Sequence, residues 1–207
     1  MDFENFIDQL QKKLTQPLPG HDKFLVTEGF KRQIIPAADE KGIRKSAVLI
    51  NFYPKKNGVY LPLILRPKYD GAHGGQMAFP GGGMEPFDES YERTALREAE
   101  EEIGIKSLDV KVIGQLSDIY IEPSKYWVRP IVSYLPYRPT FFPDEKEVAE
   151  IHEIQYNLIA NMEQMQFKTV NVGRHSLNTK GFEVNSQWIW GATAMMLAEL
   201  GEVLQEK

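Results

Sequence analysis

Along the opening segment MDFENFIDQLQKKL, Phe3, Phe6, Ile7, Leu10 and Leu14 recur at the spacing of one helical stripe, and Pro17, Pro19 and Gly20 then stop it. Residues 1–20 are therefore expected to carry an amphipathic helix that packs on the domain or on a partner subunit. Its polar face mixes acids with few bases, which disfavours a membrane-surface role. From Lys45 to Tyr53 (KSAVLINFY) and from Val59 to Leu65 (VYLPLIL) the pattern changes to runs of strand formers around a Pro-Lys-Lys-Asn-Gly turn, which predicts a β-hairpin. A glycine-dense loop follows through Gly71, Gly74, Gly75, Gly81, Gly82 and Gly83, and helical periodicity returns near Asp88. Strand-like runs cover 110–115 and 126–136, where Pro130 predicts an edge strand or a bulge. Tyr156–Met165 reads as a short helix, Phe182–Val184 as a short strand and Ser186–Leu204 as a closing helix. Strands, one central helix, more strands and a final helix predict an α/β sandwich around a mixed sheet, with residues 21–207 forming one domain.

Composition narrows the chemistry. The 207 residues contain no cysteine, which excludes disulfides, cysteine-ligated zinc and thiol catalysis. Lys and Arg number 24 against 29 Asp and Glu, and the net charge of -5 offers no global attraction for nucleic acid. The most apolar stretch, Trp188 to Leu200, is shorter than a membrane span and is interrupted by Gly191. A cytoplasmic protein with no nucleic-acid or membrane partner is expected.

The segment from Glu89 to Ile105 is the most informative. At about 100° per residue Glu98, Glu101 and Glu102 share an arc of roughly 100°, while Leu96, Ala99 and Ile103 fall on the other side. Like charges at this spacing cost a helix roughly 0.2–0.5 kcal/mol per pair, and Gly104 places them at the negative end of the helix dipole. A divalent cation would remove both penalties, since clustered carboxylate oxygens suit Mg²⁺ or Mn²⁺, and Arg97 could hold one carboxylate in place. A solvated acidic face is the alternative reading.

Gly83, five residues, Glu89, seven residues, Arg97-Glu98-Ala99, one residue, Glu101-Glu102, one residue and Gly104-Ile105 resembles the Nudix box of the Nudix hydrolases at every fixed position. The resemblance implies a Nudix fold, an α/β/α sandwich around a mixed β-sheet, and Mg²⁺- or Mn²⁺-dependent cleavage of a diphosphate linked to another moiety. It also implies Glu98, Glu101 and Glu102 as metal ligands, Arg97 as the residue that orients them, and Glu89 as a support for the box. Arg97, Glu98, Glu101 and Glu102 are thus the expected catalytic set, with the general base open between Glu98, Glu101 and Glu147. Charge neutralisation and an activated water are what pyrophosphate hydrolysis needs.

Upstream, Leu63–Gly83 is similar to the motif of the coenzyme A pyrophosphatase branch, through Arg66, Lys68, His73, Gly75-Gln76 and Phe79-Pro80-Gly81-Gly82, and Trp190-Gly191-Ala192-Thr193-Ala194 resembles that branch's C-terminal helix. Pro67 and Gly71 depart from it, both in the substrate-recognising part. The branch implies hydrolysis of coenzyme A or acyl-CoA to 3′,5′-ADP and (acyl-)4′-phosphopantetheine, with Arg66, Lys68, Gly75 and Phe79 binding substrate. ADP-ribose or a dinucleotide polyphosphate as substrate, or a non-catalytic ligand-binding domain, are the alternatives, and a homodimer is compatible. Trp188 and Trp190 read as core residues rather than ligand stackers.

Overall fold

The computed structural model of the chain describes residues 2–21, 34–37, 39–68, 74–160, 165–172 and 175–205. Helix α1 (Phe3–Leu14) starts at Asp2, whose side chain accepts the Asn5 N–H, and buries Phe6, Ile7 and Leu10. Strands β1 (Arg44–Lys55) and β2 (Gly58–Leu65) form the antiparallel hairpin, with β3 (Met77–Ala78) beside β2 and β4 (Gly81–Gly83) beside the start of β1. After α2 (Tyr91–Ile103) come β5 (Lys111–Gln115), β6 (Ile119–Ile121) and β7 (Tyr126–Tyr134). β7 runs parallel to β1 and antiparallel to β5 and β6, so the sheet is mixed, and β8 (Glu150–Gln155) closes on β2.

Residues alternate across a strand, and β1 uses both faces. Ala47 and Leu49 join Ala95, Ala99 and Ile131 under α2, whereas Ile50 and Phe52 join the larger cluster with Phe6, Leu10, Met196 and Leu200. That second face is covered by α1 and by the final helix α4 (Gly191–Leu204), giving helix, sheet and helix layers. A smaller antiparallel sheet, β9 (Gln166–Val172), β10 (His175–Val184) and β11 (Gln187–Ile189), leads into α4. The chain's first and last helices are tied together. Lys13 Nζ donates to Leu204 O at 3.0 Å, and buried Glu199 of α4 accepts from Gly20 N, Ser117 N and Ser117 Oγ. Among the described residues no helix is long and apolar enough to cross a membrane.

Three sequence expectations need correction. Pro130 lies in β7, a strand paired on both sides rather than an edge. It is tolerated because it falls between the residues paired with β6 (126–128) and those paired with β5 (131–134), where a proline's missing donor goes unneeded. The closing helix begins at Gly191, not Ser186, because Gln187–Ile189 pairs with β10 through a two-residue turn at Asn185 (φ 50°) and Ser186 (φ 62°). The short helix expected over 156–165 is α3 (Asn157–Ala160), and residues 161–164 lie outside the described residues.

Candidate active site

Helix α2 is built to hold carboxylates against a strand. Ser90 caps it, its side chain accepting the Arg93 N–H at 3.2 Å, and Gly104 ends it in the left-handed conformation at φ 72°. Small Ala95 and Ala99 lie on the sheet, which lets the helix approach closely, and Glu98 and Glu102 emerge beside them over β4.

Two glycines of β4 make room for those side chains. A Cβ on Gly82 would stand 2.5 Å from a Glu98 carboxylate oxygen. At Gly81, φ is 152°, and a Cβ would stand 2.3 Å from Ala47 O and 2.5 Å from Val48 Cα. The backbone also contributes a bond: Gly81 N–H donates to Glu102 Oε2 at 2.8 Å.

Electrostatically, burial outweighs the cations beside the inner carboxylates. Glu102 is 2% exposed, and burial pushes its pKa up to about 7; Arg66 and the Gly81 N–H oppose the shift, while Glu98 and Glu147 add to it. Burial raises Glu98 as well, against the pull of Arg97. Arg66 Nη2 lies 4.0 Å from Glu102 Oε1 and donates to Gly81 O at 3.3 Å. Glu147, in the loop before β8, lines the same cavity rather than an unrelated solvated surface.

Arg97 is the hub of the surrounding bonds. It makes a two-point contact with Asp88 through Nε (3.2 Å) and Nη2 (2.9 Å), donates from Nη2 to Gly83 O at 3.0 Å, and reaches Glu98 and Glu101 from Nη1 at 2.9 Å each. Asp88 also accepts from Glu85 N and Thr94 Oγ1, and the Arg97 bonds hold its carboxyl below the usual range. The acid that supports Arg97 is therefore Asp88, whereas Glu89, which matches the family position, is exposed. Asp88 carried no distinguishing signal in the sequence beyond its place next to Glu89.

Glu98, Glu102 and Glu147 share a cavity of about 630 Å³ with Arg66, Gln76 and Phe79, whereas Glu101 has its carboxylate on Arg97 and is 61% exposed. Among the described residues, no three His, Asp or Glu side chains stand at metal-ligating spacing. The donor set nevertheless suits a hard divalent ion, with two desolvated carboxylates and a third close enough to raise both. Phe79, 1% exposed, serves the core as well as the cavity wall, while Lys68 and Gly75 are exposed and absent from that wall. Gly71 and His73 lie outside the described residues. Tyr126, Leu177, Trp190, Thr193 and Met196 also line it. The sequence reading missed these cavity positions, and Trp190, read as core, stands half-buried on it.

Comparison with known proteins identifies the family from sequence. The family model described as NUDIX domain matches residues 43–173, more than half of the chain. The uncharacterised Nudix hydrolase NudL of Yersinia pestis (strain Pestoides F) is 34% identical over 161 residues, 77% of this chain and 79% of that protein. NudL of Yersinia pseudotuberculosis serotype O:1b matches with the same figures. Among solved structures, a NUDIX hydrolase from Alicyclobacillus acidocaldarius aligns over 57% of this chain and 82% of its own at 18% identity, with a TM-score of 0.49. With the box folded as a glycine strand, a capped carboxylate helix and an arginine hub, and the family model spanning it, the chain belongs to the Nudix hydrolase family.

Proposed function

We propose that the protein hydrolyses the pyrophosphate of coenzyme A or acyl-CoA, giving 3′,5′-ADP and (acyl-)4′-phosphopantetheine. The observation that carries a metal-dependent pyrophosphatase reading is the pairing of desolvated Glu98 and Glu102, with Glu147 nearby and Arg66 as their cationic neighbour, on one wall of a cavity large enough for a nucleotide. Glu98 and Glu102 would hold Mg²⁺ or Mn²⁺, with Glu101 able to join by releasing Arg97. The ion would neutralise phosphoryl charge and lower the pKa of a bound water. Arg66, beside Glu102, meets the diphosphate, and Glu147 is a base within the same cavity. The coenzyme A assignment rests on the resemblance of Leu63–Gly83 and 190–194 to that branch.

A substrate panel of coenzyme A, acyl-CoA, ADP-ribose and diadenosine polyphosphates, with products identified by mass spectrometry, tests the assignment. Coenzyme A should be the best substrate, and hydrolysis should stop in excess chelator. Glu102→Gln should lower turnover by orders of magnitude while leaving metal-free thermal stability unchanged or higher, because it removes a buried charge. Full activity in chelator would refute the metal, and cleavage of ADP-ribose with coenzyme A untouched would refute the branch.

A further inference from the structure

We infer that Arg44, stacked on Tyr126, forms an anion subsite at the mouth of the active-site cavity that takes a phosphate monoester carried by the substrate beyond its diphosphate. Alternation along β1 puts Arg44, Ser46 and Val48 on one face. Ser46 and Val48 line the cavity, as do Tyr126 and Val128, the parallel β7 partners of Arg44 and Ser46. Arg44 is thus the next residue outward on the cavity face of the sheet. Ser46 in turn donates to Gly82 O at 2.6 Å, and Gly82 backs Glu98. Arg44 and Ser46 stand roughly 7 Å apart along the strand, so Arg44 lies one strand repeat outward from the residue that bonds Gly82.

The guanidinium is held in place without a carboxylate partner among the described residues. Its carbon sits 4.1 Å above the Tyr126 ring, and Nη2 donates to Ser124 O at 2.8 Å. Arg66, Arg97, Arg129 and Arg138 each have a carboxylate within 4.0 Å, and Lys125 on the same rim is bonded to Glu40. No described carboxylate pairs with Arg44, and because Ser124 O takes only one of the two Nη2 hydrogens, the other can join Nε or Nη1 in a two-donor edge of the geometry that phosphate oxygens accept. Glu122 also lines this rim, so an anion seated there must meet the guanidinium directly rather than rely on a generally positive field. Arg66 is turned toward Glu102, whereas Arg44, exposed just beyond the lining residues Ser46 and Tyr126, is open to an anion at this end of the cavity.

Identifying the anion as the 3′-phosphate of coenzyme A rests on the function proposed above; the subsite itself does not. The test is therefore made on binding as well as turnover. Affinities of the wild-type protein, Arg44→Ala and Arg44→Lys for 3′,5′-ADP and for 5′-AMP would be measured by calorimetry. KM and kcat would be measured for coenzyme A and for its 3′-dephospho analogue. A charged phosphate contact corresponds to roughly a tenfold to hundredfold change. Arg44→Ala should lose about that much affinity for 3′,5′-ADP but little for 5′-AMP, and should raise KM for coenzyme A selectively with kcat nearly unchanged. Arg44→Lys should recover part of the loss. If Arg44→Ala weakens both nucleotides equally, or neither, the subsite is refuted even where coenzyme A is cleaved. If the 3′,5′-ADP preference depends on Arg44 but coenzyme A is not cleaved, the subsite stands and the substrate assignment fails.

Discussion

Asp88 is the residue whose loss should be felt most widely around the box. Its carboxylate accepts two bonds from Arg97, one from Thr94 Oγ1 and one from Glu85 N while its side chain is 3% exposed. Asp88→Ala leaves these donors without their acceptor, at a cost of roughly 1–3 kcal/mol, and frees Arg97 to swing away from Glu98. Urea unfolding should report that loss, and kcat should fall with it, whereas Glu89→Ala should stay within about 0.5 kcal/mol of the parent. Equal effects of the two substitutions would mean that Glu89 shares the support. The common face of Glu98 and Glu102 was legible from spacing because a helix converts spacing into a face, while Glu101, expected on the same arc, turns to Arg97 outside the cavity. The exchange between adjacent Asp88 and Glu89 was not, since both precede the helix, where no periodicity governs which side chain turns inward.

At the scale of elements, the β1–β2–β8 corner is sealed by a polar lock. Tyr53, fully buried, donates to Glu153 at 2.9 Å, and Arg138 contacts both oxygens of that carboxylate at 3.0 and 2.7 Å. The Arg138 bonds, aided by Tyr53 and Lys55, hold Glu153 down to about 2 from a usual 4.5. A depressed carboxyl stabilises the fold above its unfolded pKa, and that stability is lost as pH falls through the folded value. The stability advantage of the parent over Glu153→Gln, measured by thermal unfolding, should therefore be full above pH 5 and shrink steadily toward pH 2. An advantage independent of pH would show that packing rather than charge is responsible. Elements with a strong period, such as α1, α2 and the β1–β2 hairpin, were readable from the chain. β11 was absorbed into the closing helix because Trp188 and Ile189 run into the apolar start of α4 with only Gly191 as punctuation. The overlooked signal was the Asn185-Ser186 pair, whose positive φ values make a tight hairpin turn.

For the whole molecule, the layer that carries α1 and α4 determines how the site is supported. Phe6 packs edge-on against Phe52 at 5.2 Å between centroids and against Tyr156 at 4.7 Å, while Met196 and Thr193 of α4 line the cavity. Phe6→Ala should cost roughly 3–5 kcal/mol in denaturant unfolding and loosen α4 without touching a catalytic group; a loss below about 1 kcal/mol would show that α1 is peripheral. The hydrophobic pattern could not show that Thr193 and Met196 line the cavity, because they reach the box through sheet topology, more than eighty positions away along the chain. That same topology has a kinetic side. Lys13 meets Leu204 across 191 positions, and Glu199 meets Gly20 across 179. During synthesis, which proceeds from the N-terminus, α1 can meet Phe52 early, but its ties to α4 must wait until residues 199–204 emerge. Loop-closure entropy of that size has to be met before the contacts repay it, so nascent chains halted before Gly191 should leave α1 more open to protease than chains that carry α4, the helix that locks the first one in place.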